Sequence, residues 1–506
     1  MADPTGSSTT QRELPDPDRA PNVLYNPSLE RLRTFSDHLE TTTEYGSPSY
    51  VSTYRSRTAD RTRNAIDHDF TAEDRAYINQ ALDALDTTEL VCLDRQVGRH
   101  PDQSYVCRLF VPKAYGRIAL AWANLFDPVT DADRTPDFHT IQLPDHDQTA
   151  IRILPEEGLT VVLGSDYTGE AKKSFLRLFM HRAKQADGLG LHAGSKRVRT
   201  RSPDGDLRTV GQVFLGLSAT GKSTLTAHGL GLDEPESAEM LQDDVCAVLP
   251  SGTVAGSEGH GLFVKTIGLD RATQPELYDA VTHESAVLEN VDVNDDGSVD
   301  FDSDRYTANG RAVISRDQLA SAAEDIDLER VDQVFFITRN TLMPPVAKLS
   351  ATQAAAAFML GESIETSAGD PSSAGEAIRV VGTNPFIIGS EGKEGNRFRD
   401  LLESLDVESY VLNTGQIGDG DDAVDIGVDE STTILRELAR GTVTWTDDTA
   451  VPLQVPATVP GLDMDSYRVP AIVADYERQA ADLRADRRAY LETFDDLDRE
   501  IVDAVY

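Results

Sequence analysis

The chain has 506 residues, with 86 acidic against 47 basic side chains and a formal charge of −39, and the lack of a basic stripe disfavours nucleic-acid binding. Its 39% hydrophobic content supports packed cores in two or three domains, and no run of about 18 apolar residues offers a membrane span. Cys92, Cys107 and Cys246 have no paired spacing and are expected as buried reduced thiols rather than disulfides or zinc ligands.

Residues 1–45 are rich in Pro, Asp, Ser and Thr and read as an N-terminal arm with one short helix. The segment Met1–Ser8 lacks the basic and apolar regions of a signal peptide, so a cytoplasmic protein is expected. Residues 46–200 are expected as an N-terminal α/β domain, with a helix from Thr71 to Leu85 and strands at Leu90–Leu93, Ser104–Phe110, Ile151–Leu154 and Leu159–Leu163. Arg197–Asp206 reads as a polar hairpin or linker. Residues 201–506 are expected as a mixed α/β domain in which strands at Val210–Leu215, Val334–Thr338 and Tyr410–Asn413 alternate with helices at Ala351–Leu360 and Arg397–Leu405. The last segment, Pro470–Tyr506, has apolar residues at helical spacing and is expected as a charged helical stretch docked on the surface.

The strongest local signal is Gly216-Leu-Ser-Ala-Thr-Gly-Lys-Ser223, a complete G-x-x-x-x-G-K-[ST] phosphate-binding loop between a strand and a helix start. Gly216 and Gly221 let the backbone curl until successive N–H groups face a phosphate chain, which the N-terminal end of the following helix also favours. Nucleotide contacts are expected from Gly216, Ser218, Ala219, Thr220, Gly221, Lys222, Ser223 and Thr224, with Lys222 on the β- and γ-phosphates and Ser223 on Mg²⁺. Downstream, Asp243-Asp244 supplies carboxylates of the kind that hold a metal beside such a loop. Upstream lie Lys172-Lys173 and, in a Gly-rich segment, His192, a ligand type suited to Mn²⁺-like metals.

The acidic surplus is spread along the chain, and lysine is rare against arginine, at 9 to 38. Such a surface repels itself at ordinary ionic strength and is screened in molar salt, so a very salty cytosol is the expected setting. Six of the lysines, Lys172, Lys173, Lys184, Lys196, Lys222 and Lys265, fall between 172 and 265. Where lysine is otherwise dispensable, these positions are expected to need an ammonium, which can lose its proton when buried as arginine cannot.

In this order, Gly164-Ser-Asp-Tyr-Thr-Gly-Glu-Ala-Lys-Lys173, His192, the phosphate loop and the Asp pair resemble the ATP-type phosphoenolpyruvate carboxykinase family. Gly261–Ile267, Ala286–Val291, Leu342–Leu349, Leu412–Gly415 and Val459–Asp463 extend the resemblance, so that it runs from about 164 to 470. It implies a gluconeogenic reaction in which oxaloacetate and ATP give phosphoenolpyruvate, ADP and CO₂ through an enolate that attacks the γ-phosphate. It also implies a cleft between the two domains as the active site. Carried over by position, Lys173, His192 and Asp244 would hold Mn²⁺, with Lys173 neutral and its proton loss aided by Lys172. Ser223 would take Mg²⁺ and Asp243 would orient its waters. Arg57 would grip the oxaloacetate carboxylate, Tyr167 would sit beside the departing CO₂, and Arg311 would lie between substrate and γ-phosphate. Lys265 would stand just behind these groups, and Leu342–Leu349 would belong to a lid.

The chain departs from the family pattern at several places. Ala219 replaces the middle glycine of the loop and Thr168 a glycine after Tyr167. The run after His192 is Ala-Gly-Ser-Lys-Arg-Val198, and Asp419-Gly-Asp-Asp422 stands where a basic base-pocket residue is expected. ATP remains the expected nucleotide. Two other readings fit the loop: a P-loop kinase acting on a small hydroxylated substrate or a protein serine, and a regulator that binds nucleotide without turnover. The charge alone generates a prediction. Raising KCl from about 0.1 M to about 1 M shortens the Debye length from about 10 Å to about 3 Å and is expected to raise the midpoint of thermal unfolding; a midpoint that falls would contradict the self-repulsion argument.

Overall fold

The computed structural model describes residues 14–54, 59–131, 134–217, 220–364, 377–448 and 450–506. The chain forms two compact units: Met1–Phe179 with Glu258–Leu319, and Met180–Ser257 with Ala320–Tyr506.

The first unit is built on an eight-stranded mixed sheet. Its spine is the long hairpin Leu90–His100 and Gln103–Pro112, paired from Leu90 opposite Pro112 to His100 opposite Gln103. Phe138–Leu143 joins Gln103–Pro112 in parallel, and Leu159–Leu163 joins Phe138–Leu143 in the same sense. Leu159–Leu163 and Ala150–Leu154 are buried along their whole length, which is why both read as unbroken apolar runs rather than alternating ones. The helix Ala72–Thr87 covers this sheet with Ile78, Ala81, Leu82 and Leu85. It starts where the sequence predicts, because the Thr71 hydroxyl accepts from the Asp74 N–H at 3.2 Å while the Thr71 N–H donates to the Asp74 carboxylate at 2.8 Å.

A second, five-stranded sheet in this unit has the order Gly261–Lys265, Arg311–Ser315, Val287–Glu289, Pro48–Tyr50 and Glu40–Thr42. It sets Lys265 opposite Arg311. Inside the unit a buried ion network joins distant segments. Arg117 donates to Asp166 at 3.0 Å and to Glu289 at 3.2 Å, and Asp166 also accepts from the backbone of Thr53 and Tyr54.

The second unit is organised by an eight-stranded sheet whose centre is Leu207–Leu215, Gln333–Thr338 and Glu408–Asn413, mutually parallel. Ala193–Arg201 and Ser237–Gln242 extend one edge in antiparallel fashion. An aromatic row crosses these strands: Phe214, Phe335, Tyr410 and Trp445 stack with centroids 5.2, 5.3 and 5.7 Å apart in turn. Such cross-strand pairs hold register as well as burying surface. Ala351–Leu360 packs against Glu391–Leu405, with Phe358 stacked on Phe398 at 4.7 Å. Val428–Arg440 buries Ile434, Leu435 and Leu438 in the cluster around Phe214.

Several expectations need correction. The units do not follow the boundaries at 45 and 200. Strands Val23–Tyr25 and Glu40–Thr42 are paired within the first unit, so the described part of the arm belongs to it. Arg197 lies in the hairpin that carries the phosphate-loop strand, and 258–319 returns to the first unit because Leu288 pairs with Ser49. Such long-range pairings leave no local mark. Leu342–Leu349 is not a lid: Val346–Leu349 is a strand of the large sheet, opposite Ser409–Leu412, and residues 343–347 are buried. The last segment is helical as expected, over Val469–Ile472, Tyr476–Leu491 and Arg499–Asp503, but it is core rather than surface dressing. Tyr476, Leu491, Ile501 and Val505 join the main apolar cluster of the unit. All three cysteines are buried and free, and no described helix is long and apolar enough to cross a membrane.

The Arg117 network yields a stability prediction. Arg117→Ala leaves two buried carboxylates without their cation and is expected to cost about 3–5 kcal/mol. Urea unfolding in molar KCl measures it, and a loss below about 1 kcal/mol, the scale of a surface pair, would contradict the assignment.

Candidate functional site

In the second unit the strand Leu207–Leu215 delivers the phosphate loop and the six-residue helix Lys222–Ala227 follows it. Gly216 has no room for a side chain, because a Cβ there would lie 2.7 Å from the Thr220 hydroxyl and 3.1 Å from Ile337. Gly221 sits at φ +95°, a left-handed conformation that a side chain would strain. Thr220 closes the turn by donating its hydroxyl to the Leu217 carbonyl at 2.8 Å. A second element braces the loop: the Thr414 hydroxyl donates to the Thr220 carbonyl at 2.7 Å. The Lys222 ammonium is buried while Ser223 and Thr224 are exposed. Ser218 and Ala219 lie outside the described residues, and so does the question of the backbone angle at Ala219.

The same unit brings His192 and Asp244 together. His192 follows the short strand Leu189–Leu191, which pairs with Cys246–Val248, and this puts the bend at Asp243-Asp244 beside it. The His192 Nδ1 lies 2.6 Å from the Thr383 carbonyl and must therefore donate. In the neutral ring that leaves Nε2 as a lone pair, and it faces the Asp244 carboxylate at 3.0 Å. Two acceptors at that distance need a proton or a metal cation between or beside them. The carbonyl behind the ring fixes the tautomer as such backing groups do for metal-ligating histidines. Thr383 pays the conformational cost, at φ +51° in a region β-branched residues avoid. Nearby, the Asp243 Oδ1 is buried with no hydrogen-bond partner. These donors fit a divalent cation. Among the described residues no group of three or more His, Cys, Asp or Glu side chains forms a complete cage, so further ligands must be of other kinds.

In the first unit, Tyr167, Lys172 and Arg311 gather around one ring. The Phe263 centroid is 6.2 Å from that of Tyr167, with the Lys172 ammonium at 5.5 Å and the Arg311 guanidinium at 5.4 Å. Phe263 lies inside a segment the sequence singles out, yet nothing local marks it as the floor of a cationic cluster. Tyr167 is buried, and burial pushes its hydroxyl up, so the phenol keeps its proton. Its ring also explains Gly169, where a Cβ would fall 2.3 Å from the ring edge. Arg311 donates to Asn309 at 2.9 Å, and its Nε is buried with no hydrogen bond. Lys265 and Lys173 are half-buried. Arg57 lies outside the described residues.

Two details revise the sequence argument here. Lys172 does not stand as a free charge next to Lys173: it is buried and paired with Glu258 at 2.8 Å, so its effect on Lys173 is largely neutralised. Thr168 has a use for its side chain. Its N–H and hydroxyl both donate to the Glu289 carboxylate, at 3.1 and 3.2 Å, a contact glycine would halve.

A family model described as phosphoenolpyruvate carboxykinase matches residues 59–465. The phosphoenolpyruvate carboxykinase (ATP) of Aeropyrum pernix is 35% identical over 479 residues, covering 93% of this chain and 94% of that relative. The enzymes of the same description from Mesorhizobium japonicum and a Staphylococcus aureus strain are each 28% identical, over 66% and 59% of this chain. Those two matches span 62% and 57% of the relatives' own lengths.

Lys196 is a cation whose role the sequence did not reveal, although lysine scarcity had drawn attention to it. It is fully buried, with its ammonium 2.5 Å from both the Leu225 and the His228 carbonyls, at the end of the phosphate-loop helix. Gly194 on the same strand admits Thr226 of that helix, since a Cβ would lie 2.5 Å from its hydroxyl. Lys196 therefore bonds the helix terminus whose carbonyls lack internal partners. Burial pushes its ammonium down to about 7. The ordinary lysine value is about 10.4, so the unfolded chain binds the extra proton between the two, and the contribution of Lys196 to stability grows as pH rises through that window. The stability of the wild-type chain relative to Lys196→Met is expected to increase from about pH 7 to about pH 10; urea unfolding curves that stay parallel across the range would contradict it.

Proposed function

The chain belongs to the phosphoenolpyruvate carboxykinase (ATP) family, and from that premise we propose that it converts oxaloacetate and ATP to phosphoenolpyruvate, ADP and CO₂. The observation that carries the reading in this chain is the pairing, in one unit, of the braced phosphate loop with His192 and Asp244 side by side. A kinase acting on a hydroxyl needs a base and has no need of Lys173 with His192 as metal ligands.

The reaction has two charge problems. Loss of CO₂ leaves an enolate, and the enolate oxygen must then attack the γ-phosphate in line while negative charge is held from several sides. Divalent cations, Mn²⁺ at His192, Asp244 and Lys173 and Mg²⁺ at Ser223 with Asp243, supply the positive charge these anions require when bound. Lys173 serves there only as the neutral amine, since an ammonium has no lone pair. Lys222 reaches the β- and γ-phosphates, and the N–H groups of the loop orient the chain for transfer. Arg311 brings a fixed positive charge to the space between the substrate and the γ-phosphate. Its unpartnered Nε and the bond that turns it toward Asn309 suit it to an anion. The protonated Tyr167 presents a neutral hydroxyl beside the departing carboxylate, and Arg57 binds the remaining one. In a chain of net charge −39 these cations also provide the local attraction that two polyanionic substrates need.

The test is ATP-dependent CO₂ release from oxaloacetate in molar KCl with Mn²⁺ and Mg²⁺, coupled to phosphoenolpyruvate formation. Lys173→Ala and His192→Ala are each expected to lower turnover by about 100-fold or more. Formation of ADP with another acceptor and no CO₂ would make the chain a kinase; nucleotide binding without turnover would make it a regulator.

A further inference from the structure

The strand Gln333–Thr338 lies between the phosphate-loop strand and Glu408–Asn413, parallel to both, with Phe336 opposite Leu215 and Thr338 opposite Asn413. The chain therefore leaves these three strands at one end of the sheet, where ligands bind in open α/β sheets. Three segments emerge there: the phosphate loop, Arg339 and the turn Asn413-Thr414-Gly415. They are braced together. Thr414 donates to the Thr220 carbonyl of the loop at 2.7 Å, and its backbone N–H donates to the Thr338 carbonyl at 2.9 Å.

Arg339 is held firmly at this end. Thr338 before it is in the ladder, and Asn340 after it donates to Glu362 and accepts from Asn413 through its carbonyl at 3.0 Å. The stem of Arg339 lies flat on Gly415, where a Cβ would fall 3.1 Å from the Arg339 Cβ and 3.3 Å from its Cγ. The positively charged end is treated differently. Its Nε is buried with no hydrogen bond, and among the described residues the guanidinium has no ion pair. Desolvation pushes its pKa down, and among the described residues no charge compensates. Glu362, the carboxylate that Asn340 touches, is committed to Arg487 and Arg379. In a chain with 86 acidic residues, a fixed and half-buried arginine with no carboxylate partner among the described residues suits an anion that arrives from outside. The loop beside it binds one. The expected basic residue after Asn413-Thr-Gly415 is also missing, with Asp419, Asp421 and Asp422 in its neighbourhood instead.

We propose that Arg339 is a nucleotide-binding residue that grips the phosphate chain of the nucleoside triphosphate held by the loop Gly216–Ser223. The assignment rests on the ATP-dependent reading above. It moves the missing basic contact from the segment after the Asn-Thr-Gly turn to the strand end that this turn packs on.

Calorimetric titration of the full chain in molar KCl with ATP, with inorganic tripolyphosphate and with adenosine tests it, using Arg339→Ala, Arg339→Gln and Arg339→Lys. Lys222→Ala serves as the loop control. Arg339→Ala and Arg339→Gln are expected to weaken ATP and tripolyphosphate by about 10- to 100-fold, and to leave the KM for oxaloacetate unchanged. Arg339→Lys is expected to recover only part of the loss, because an ammonium lacks the planar fork. Arg339→Gln keeps much of the stem on Gly415, and an unchanged unfolding midpoint separates lost contact from lost structure. Wild-type affinity for tripolyphosphate in Arg339→Gln, while Lys222→Ala loses it, would overturn the proposal. Loss confined to adenosine would overturn it too, by assigning Arg339 to the base or ribose. A wild-type chain that binds no triphosphate would remove the ATP-dependent reading itself and this assignment with it.

Discussion

The parallel alignment of Leu207–Leu215, Gln333–Thr338 and Glu408–Asn413 is the constraint on which the second unit depends. It ends three strands at one edge, so residues 216, 339 and 414 emerge side by side although they are far apart in the sequence. A slip of one residue in any strand would turn its side chains to the other face. The stacked row Phe214, Phe335, Tyr410 and Trp445 opposes such a slip, because each ring is matched to the next only in this register. What is built at that edge is small: a Thr414 hydroxyl on a loop carbonyl, a glycine that accepts an arginine stem, a left-handed glycine before a short helix. Each is useful only because the strands beneath have already fixed where it stands.

The same economy shows in how buried charge is handled. Lys172 meets Glu258, and Arg117 meets Asp166 and Glu289. Arg487 meets Glu362 and the carbonyl of Tyr506. These pairs satisfy ions that would otherwise be costly to bury. Among the buried atoms without a hydrogen bond, three lie on candidate site residues: the Nε of Arg311 and Arg339 and the Oδ1 of Asp243. They belong to residues assigned to phosphate, substrate or metal. Groups left incomplete at such positions can have the missing half supplied by a ligand.

Much of this could be read from the sequence, and the division between what could and could not is physical. The phosphate loop declares itself because its chemistry is local: glycines, a lysine and a hydroxyl within eight positions. The helix Ala351–Leu360 and the strand Leu159–Leu163 are placed to the residue, since both are bounded by abrupt changes of polarity. Thr71 announces its helix through a capping box completed three residues later. Long-range partners leave no such trace. Nothing near His192 points to the Thr383 carbonyl, and nothing near Lys172 points to Glu258. The run Leu342–Leu349 misleads for a related reason. Its prolines suggest a mobile loop, but they precede a strand buried from both sides, and burial is a property of its neighbours.

The scarcity of lysine turns out to report something broader than catalysis. Of the six lysines between 172 and 265, Lys172, Lys184 and Lys196 are tied into the structure. Lys172 pairs with Glu258, Lys184 with Glu394 at 2.5 Å, and Lys196 with two helix-end carbonyls. Each places a compact ammonium where acceptors converge from different directions, a geometry the flat guanidinium fits poorly. Arginine serves flat acceptors, the carboxylates that Arg117 and Arg487 meet inside the fold and the anion proposed for Arg339. On an acid-rich surface that favours arginine over lysine, the choice between the two cations therefore follows the shape of the acceptor.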